Sequence, residues 1–318
     1  MYSTIILFLF FLFTFSFLIN FSYSIDHSED IFNNYRNFND LTNEYTNTTP
    51  GNIATNFEIG ELEWNSTTYE IYYQKNGSYN IFEDDIILLN EPDSPLLAAP
   101  DIFKFISMKW NDNIIPYKID SSIKNKPELL NNIKNAIKFW DNHTILTFIE
   151  LNISNSLVYP DYVNFQYESG VCRSPIGQNK TGGEQPISLG TSCKYGKILH
   201  EIGHTLGLWH EHSRPDWNDF ISINFSNINN GSEFNFNSTR CKYGACESPD
   251  PNITPYDYCS IMHYGSRDFL KSELKNDPLA YTIKPLNKVN GCELGQRIAP
   301  SQYDLIAINT IYSKKEND

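Results

Sequence analysis

Basic side chains are almost missing from the first third of this 318-residue chain. Residues 1–100 carry 2 Lys+Arg against 14 Asp+Glu, and the whole chain has a net charge of −14. The remainder is close to neutral, with 22 basic and 24 acidic residues. Neither part holds the clustered positive charge that a phosphate backbone requires, which argues against a nucleic-acid partner. Long apolar runs are equally scarce. The single one, Ile5 to Ile19, spans 15 residues interrupted only by Thr14 and Ser16. A membrane-crossing helix needs ~20, so the run, followed by small Ser22 and Ser24, reads as a secretory leader over residues 1–24. The lack of Lys or Arg at its start leaves an uncleaved anchor as the alternative. Cysteine is absent before Cys172. All six, Cys172, Cys193, Cys241, Cys246, Cys259 and Cys292, fall in the second half. An even number in an exported chain implies disulfides and an extracellular location. Ten Asn-x-Ser/Thr sequons beyond the leader agree, weakly in so Asn-rich a chain, and predict a glycoprotein.

Residues 25–100 are acidic, polar and without sustained periodicity, too poor in apolar residues for a core of their own. A patch such as Tyr69-Glu70-Ile71-Tyr72-Tyr73 can still pair with something else. From Asp101 the character changes, and about 210 residues are enough for one well-buried domain. Asn113 to Ile119 reads as a strand, with Pro116 marking an edge or strand start. Pro127 to Trp140 reads as a helix, with Leu130, Ile133, Ile137 and Trp140 on one face and Pro127 in the first turn. Ile145–Leu151 and Tyr162–Tyr167 read as further strands, Lys194–Leu206 as a second helix, and Tyr303–Ile311 as a closing one. The fold class is α+β, loop-rich towards its end.

The chain has only seven histidines, yet three of them lie in His200-Glu201-Ile202-Gly203-His204-Thr205-Leu206-Gly207-Leu208-Trp209-His210. On a helix, His200 and His204 stand ~40° apart on one face. Ile198, Leu199, Ile202 and Leu206 occupy the opposite side, so one face enters a core and the other offers imidazoles to a cleft. Two nitrogens at that spacing suit a tetrahedral zinc ion. Gly207 can take a left-handed conformation and turn the chain back, bringing His210 in as third ligand. Three neutral imidazoles leave one position open, as catalytic zinc sites do. Glu201, beside His200, is placed to accept a proton from water there and pass it to a leaving amine. The chemistry predicted is hydrolysis of a peptide bond. A non-catalytic peptide-binding scaffold and a zinc hydrolase for other bonds are the alternatives; retention of Glu201 and every ligand speaks against the first.

His200 to Asp216, HEIGHTLGLWHEHSRPD, resembles the extended zinc signature of the astacin family of metzincin peptidases. Tyr256 to Gly265, YDYCSIMHYG, resembles that family's Met-turn; Trp110–Tyr117 resembles its entry strand and Ser301–Tyr312 its closing helix. The resemblance covers most of the chain after residue 101. It implies a two-subdomain domain over 101–318, a five-stranded twisted sheet with two long helices above a cleft, and an irregular lower half. An edge strand there aligns extended substrate by β-augmentation. One Zn2+ is implied, with Met262 as hydrophobic floor and Tyr264 as an additional ligand that swings to stabilise the tetrahedral intermediate. Glu211 is implied to anchor the new N-terminus made by propeptide removal. The family also brings a propeptide lock. Phe82-Glu83-Asp84-Asp85 resembles the motif Phe-x-Gly-Asp, whose aspartate takes the place of water on zinc. Asp85 is then the switch, residues 25–100 an acidic propeptide, and cleavage near Ala98–Asp101 the work of an activating protease. Asp84 stands where the family has Gly, and a solvated acidic run is the other reading. Cys172 and Cys193 match one family disulfide. The second family pair is missing from both ends, with Ile145 in the first position. Cys241, Cys246, Cys259 and Cys292 have three possible pairings, of which Cys241–Cys246 with Cys259–Cys292 is preferred; a second metal site is the alternative. The partners implied are protein or peptide substrates, with no membrane contact after leader removal.

Overall fold

The computed structural model describes residues 58–64, 67–77, 79–88, 102–105, 109–179, 182–214, 216–236 and 253–313. The leader, the cleavage region Ala98–Asp101 and both Cys241 and Cys246 lie outside these residues. Five strands form the expected sheet: β6 (Ile114–Ile119), β7 (Thr147–Glu150), β8 (Tyr162–Tyr167), β9 (Cys172–Pro175) and β10 (Glu184–Leu189). Their order is β9-β10-β8-β6-β7, all parallel except β9, which runs antiparallel to β10. Parallel strands need covering on both faces, and Ile115, Val163, Phe165, Ile187 and Leu189 are accordingly buried.

A short helix α1 (Ser121–Lys124) precedes the first long one. Helix α2 (Pro127–His143) starts with Pro127 in its first turn, where the missing N–H costs nothing. Ile133, Ala136, Ile137 and Trp140 are buried, and burial of a side chain such as Ile133 is worth ~1.5–3 kcal/mol. The inward leucine is Leu129, 4 % exposed, and not the expected Leu130, which only flanks the core. The two are adjacent, so a helical rotation of ~100° separates them, and apolar spacing alone admits either. The helix ends where Thr144 returns both its N–H and its hydroxyl to the Trp140 carbonyl. Helix α3 (Tyr195–Thr205) packs across α2, and Trp140 Nε1 donates to the Leu199 carbonyl at 3.2 Å.

The closing helix α4 (Gln302–Ser313) buries Ala307, Ile308 and Tyr312. It also serves the C-terminal end of α3, whose last carbonyls have no helical donor. Tyr312 donates its hydroxyl to the Leu206 carbonyl, and Trp110 donates its indole N–H to the Thr205 carbonyl. The Ile145 N–H donates to Asn309 Oδ1 at 2.9 Å, joining the strand side to α4. Cys172–Cys193 and Cys259–Cys292 are both bonded, with Cα separations of 5.8 and 5.6 Å. The lower half is irregular, with one small ladder of β11 (Ile221–Ile223) and β12 (Ile283–Pro285) over a core that includes Ile228, Phe236 and Tyr256.

The front segment holds more order than its composition predicts. Strands β1 (Glu58–Trp64), β2 (Thr67–Asn76), β3 (Tyr79–Phe82) and β4 (Ile86–Leu88) form an antiparallel meander. The patch Tyr69–Tyr73 pairs within it, opposite β1. The meander joins the sheet by β4 lying parallel to β9, Ile86 opposite Ser174 and Ile87 opposite Pro175. A further strand, β5 (Ile102–Phe105), pairs with β1, so the sheet has ten strands among the described residues. Residues just past the expected domain boundary at 100/101 thus pair with the front segment. No helix among the described residues is long and apolar enough to cross a membrane.

Candidate metal centre

Helix α3 divides its faces as the sequence requires. Ile198, Leu199 and Ile202 enter the core, and His200 and His204 stand together on the other side with ring centroids 4.6 Å apart. The helix stops in a Schellman motif: Gly207 N–H donates to the His204 carbonyl and Leu208 N–H to the Gly203 carbonyl. Gly207 has φ +102°, a conformation any side chain would strain. The reversal carries His210 to 5.3 Å from His200 and 4.8 Å from His204, ring centre to ring centre. Gly203 matters for a different reason, since a Cβ there would lie 2.8 Å from Met262 Sδ. Met262 is buried directly against the ligand helix.

Each ring is oriented through Nδ1. His200 donates to the Ile261 carbonyl at 2.8 Å and His204 to the Leu208 carbonyl at 2.7 Å. His210 Nδ1 lies 2.8 Å from Glu83 Oε2. With Nδ1 occupied, the three Nε2 atoms converge on one carboxylate, that of Asp85, at 3.2 Å from His200, 3.5 Å from His204 and 3.2 Å from His210. One ligand atom from each of the four residues lies within 4.8 Å of the others. His204 Nε2 and Asp85 Oδ1 are buried without a hydrogen-bond partner among the described residues. Imidazole lone pairs aimed at carboxylate oxygens repel unless a cation stands between them, so the donor set fits a divalent metal, and nitrogen with oxygen suits zinc. Burial works against the Asp85 charge, yet the histidines outweigh it and hold its carboxyl well below the usual range.

The histidines do not face an open cleft. His200, His204 and His210 are 2 % exposed or less, because the β3–β4 turn lies over them. In that turn Glu83 and Asp84 have φ of +46° and +72°. Asp84 therefore adopts a left-handed backbone, one that Asp tolerates better than most residues. Phe82, 3 % exposed, anchors the turn edge-on against Trp209.

Glu201 is buried beside the cluster, and burial together with the Asp85 charge pushes its carboxyl well above the ordinary range. Tyr264 lies beside the cluster, its ring centre 4.7 Å from that of His210. Its ring stacks on His212 at 3.7 Å, and its hydroxyl donates to the Glu83 carbonyl at 2.8 Å. His212, the fourth local histidine, bonds the Asn235 carbonyl instead of joining the cluster. Glu211 accepts from the Asp257 N–H at 2.7 Å and from Arg214 Nη1 at 3.2 Å, and Arg214 also forks onto Asp216. Burial pushes the Glu211 carboxyl up to about 8 despite Arg214. It lines a small cavity with Asp257, Ser260 and Asp304. Glu83 is not legible in sequence as a site residue, being one of three consecutive acids that look solvated there.

Comparison with known proteins agrees with this geometry. The model of the Astacin peptidase family matches residues 103–313. A bone morphogenetic protein 1 homolog from Strongylocentrotus purpuratus is 36% identical over 205 residues, which is 64% of this chain and 30% of that protein. This chain thus spans less than a third of that relative. Astacin-like metalloprotease toxin 1 from Loxosceles intermedia is 32% identical over 221 residues, 69% of this chain and 77% of the toxin. Among solved structures, high choriolytic enzyme 1, a hatching enzyme zinc-protease from Oryzias latipes, superposes with a TM-score of 0.53 at 29% identity, covering 65% of this chain and 94% of the enzyme. On the extent of these matches, the chain belongs to the astacin family.

Proposed function

We propose that this protein is an exported zinc-dependent endopeptidase made as an inactive precursor, with residues 1–24 as its leader, 25–100 as propeptide and 101–318 as the peptidase domain. The observation that carries this reading is the Asp85 carboxylate meeting all three histidine Nε2 atoms. His200, His204 and His210 would hold the metal. Zinc bound there supplies a Lewis acid that acidifies water and polarises a carbonyl. The Glu201 carboxylate takes a proton at its own oxygen and returns it to the leaving amine. Tyr264, once its hydroxyl is freed from the Glu83 carbonyl, donates to the oxyanion. Strand β9, covered by β4 in the precursor, offers its edge to an extended substrate after release. Protein or peptide substrates and an activating protease follow from this scheme.

Glu211 anchors the new N-terminus. Its raised affinity for protons reflects a buried anion short of positive charge, which an ammonium entering the adjoining cavity would supply. The leader, the even cysteine count and the ten sequons support export, and the remaining pair, Cys241 with Cys246, completes the disulfides. Incubation of the processed protein with a diverse peptide mixture, with and without chelator, tests the activity. Glu201→Ala is expected to keep its zinc and lose about 10²–10⁴-fold in hydrolysis. Undiminished turnover refutes the role of Glu201.

A further inference from the structure

We infer that Glu83 is a positioning residue for His210, and that the propeptide thereby retains the metal as well as silencing it. Two of the three ligands take their orienting acceptor from within the domain, Ile261 for His200 and Leu208 for His204, and both acceptors are neutral carbonyls. His210 is different. Its Nδ1 meets a carboxylate, Glu83 Oε2, at 2.8 Å, from a residue 127 positions earlier and on the far side of the expected cleavage region. The pair is fully dry, with both side chains at 0 % exposure.

A carboxylate accepting the Nδ1 proton makes Nε2 more basic and fixes its direction, and loss of such a partner costs a metal site about 10–100-fold in affinity. Ser213 Oγ lies 3.3 Å from the same Glu83 oxygen, and Tyr264 binds the Glu83 carbonyl. The turn therefore holds one ligand and its two neighbours at once. Asp85 acts on the ligand-binding side of the three rings; Glu83 acts on the opposite nitrogen of one ring. Removal of the propeptide withdraws both, so the metal is held most tightly while the chain folds and travels, and less tightly when it works. This rests on the precursor reading above but makes a separate claim.

The test is zinc transfer from the intact, uncleaved full chain to a chromogenic chelator, alongside peptide hydrolysis by the same samples. Glu83→Gln keeps the shape and removes the charge; Glu83→Ala removes the contact. Both are expected to remain silent towards peptides while releasing zinc about 10–100-fold faster than wild type, Ala at the upper end. Release at the wild-type rate from both overturns the proposal. So does hydrolysis by uncleaved Glu83→Gln, since Glu83 would then act only by seating Asp85. An intact wild-type chain that cleaves peptides refutes the precursor reading instead, and the release rates still decide the role of Glu83.

Discussion

The histidine helix and the turn that covers it are held by different means. Helix α3 is braced by the core beneath it, by Trp140 on α2, and by Trp110 and Tyr312 at its C-terminal end. Cys172–Cys193 ties the loop before it to β9. None of these contacts involves residues before 101. The β3–β4 turn depends instead on what it lies upon: the edge of β9, the ring of Trp209, and polar contacts to His210, Ser213 and Tyr264. A region braced by its own core can keep its shape when a neighbour departs; the turn is held by its contacts to that region. That asymmetry is what a precursor needs, since the ligand geometry must survive activation and the cover must not.

The largest expected effect that separates the two regions is at Phe82. Phe82→Ala should remove about 3–5 kcal/mol from docking of the turn. Hydrogen exchange at residues 79–88 of the intact chain should then accelerate, while amides of α3 stay protected. Loss of protection in both regions alike would mean that they are one cooperative unit. A smaller effect belongs to the domain alone. Asn309→Ala deletes the hydrogen bond to the Ile145 N–H. It should cost about 1 kcal/mol, lowering the melting temperature of the processed domain by about 2–4 °C. The exchange of residues 79–88 in the intact chain should not change.

The same asymmetry explains how much of the molecule is legible in its sequence. His200, His204, Gly207 and His210 are legible because their relation is local: helical spacing and one left-handed residue bring them together. Strand Tyr162–Tyr167 and helix α2 follow from local pattern too, and only the choice between adjacent Leu129 and Leu130 needs the packing. The contacts of the front segment are not local. Asp85 meets His200 across 115 residues and Glu83 meets His210 across 127. A motif resemblance points to Asp85. Nothing in the run Glu83-Asp84-Asp85 distinguishes a dry carboxylate under a histidine from a solvated one. The placement of β4 and Phe82 is equally hidden, because their partners, strand β9 and Trp209, lie far along the chain.

The most direct test of the account is peptide hydrolysis by the full-length chain and by Asp85→Ala, with intact mass confirming that neither has been cut. The wild-type chain should be silent, and Asp85→Ala should hydrolyse peptide before any cleavage, in a chelator-sensitive manner. An uncut Asp85→Ala chain as silent as wild type, or an uncut wild-type chain already active, would contradict it.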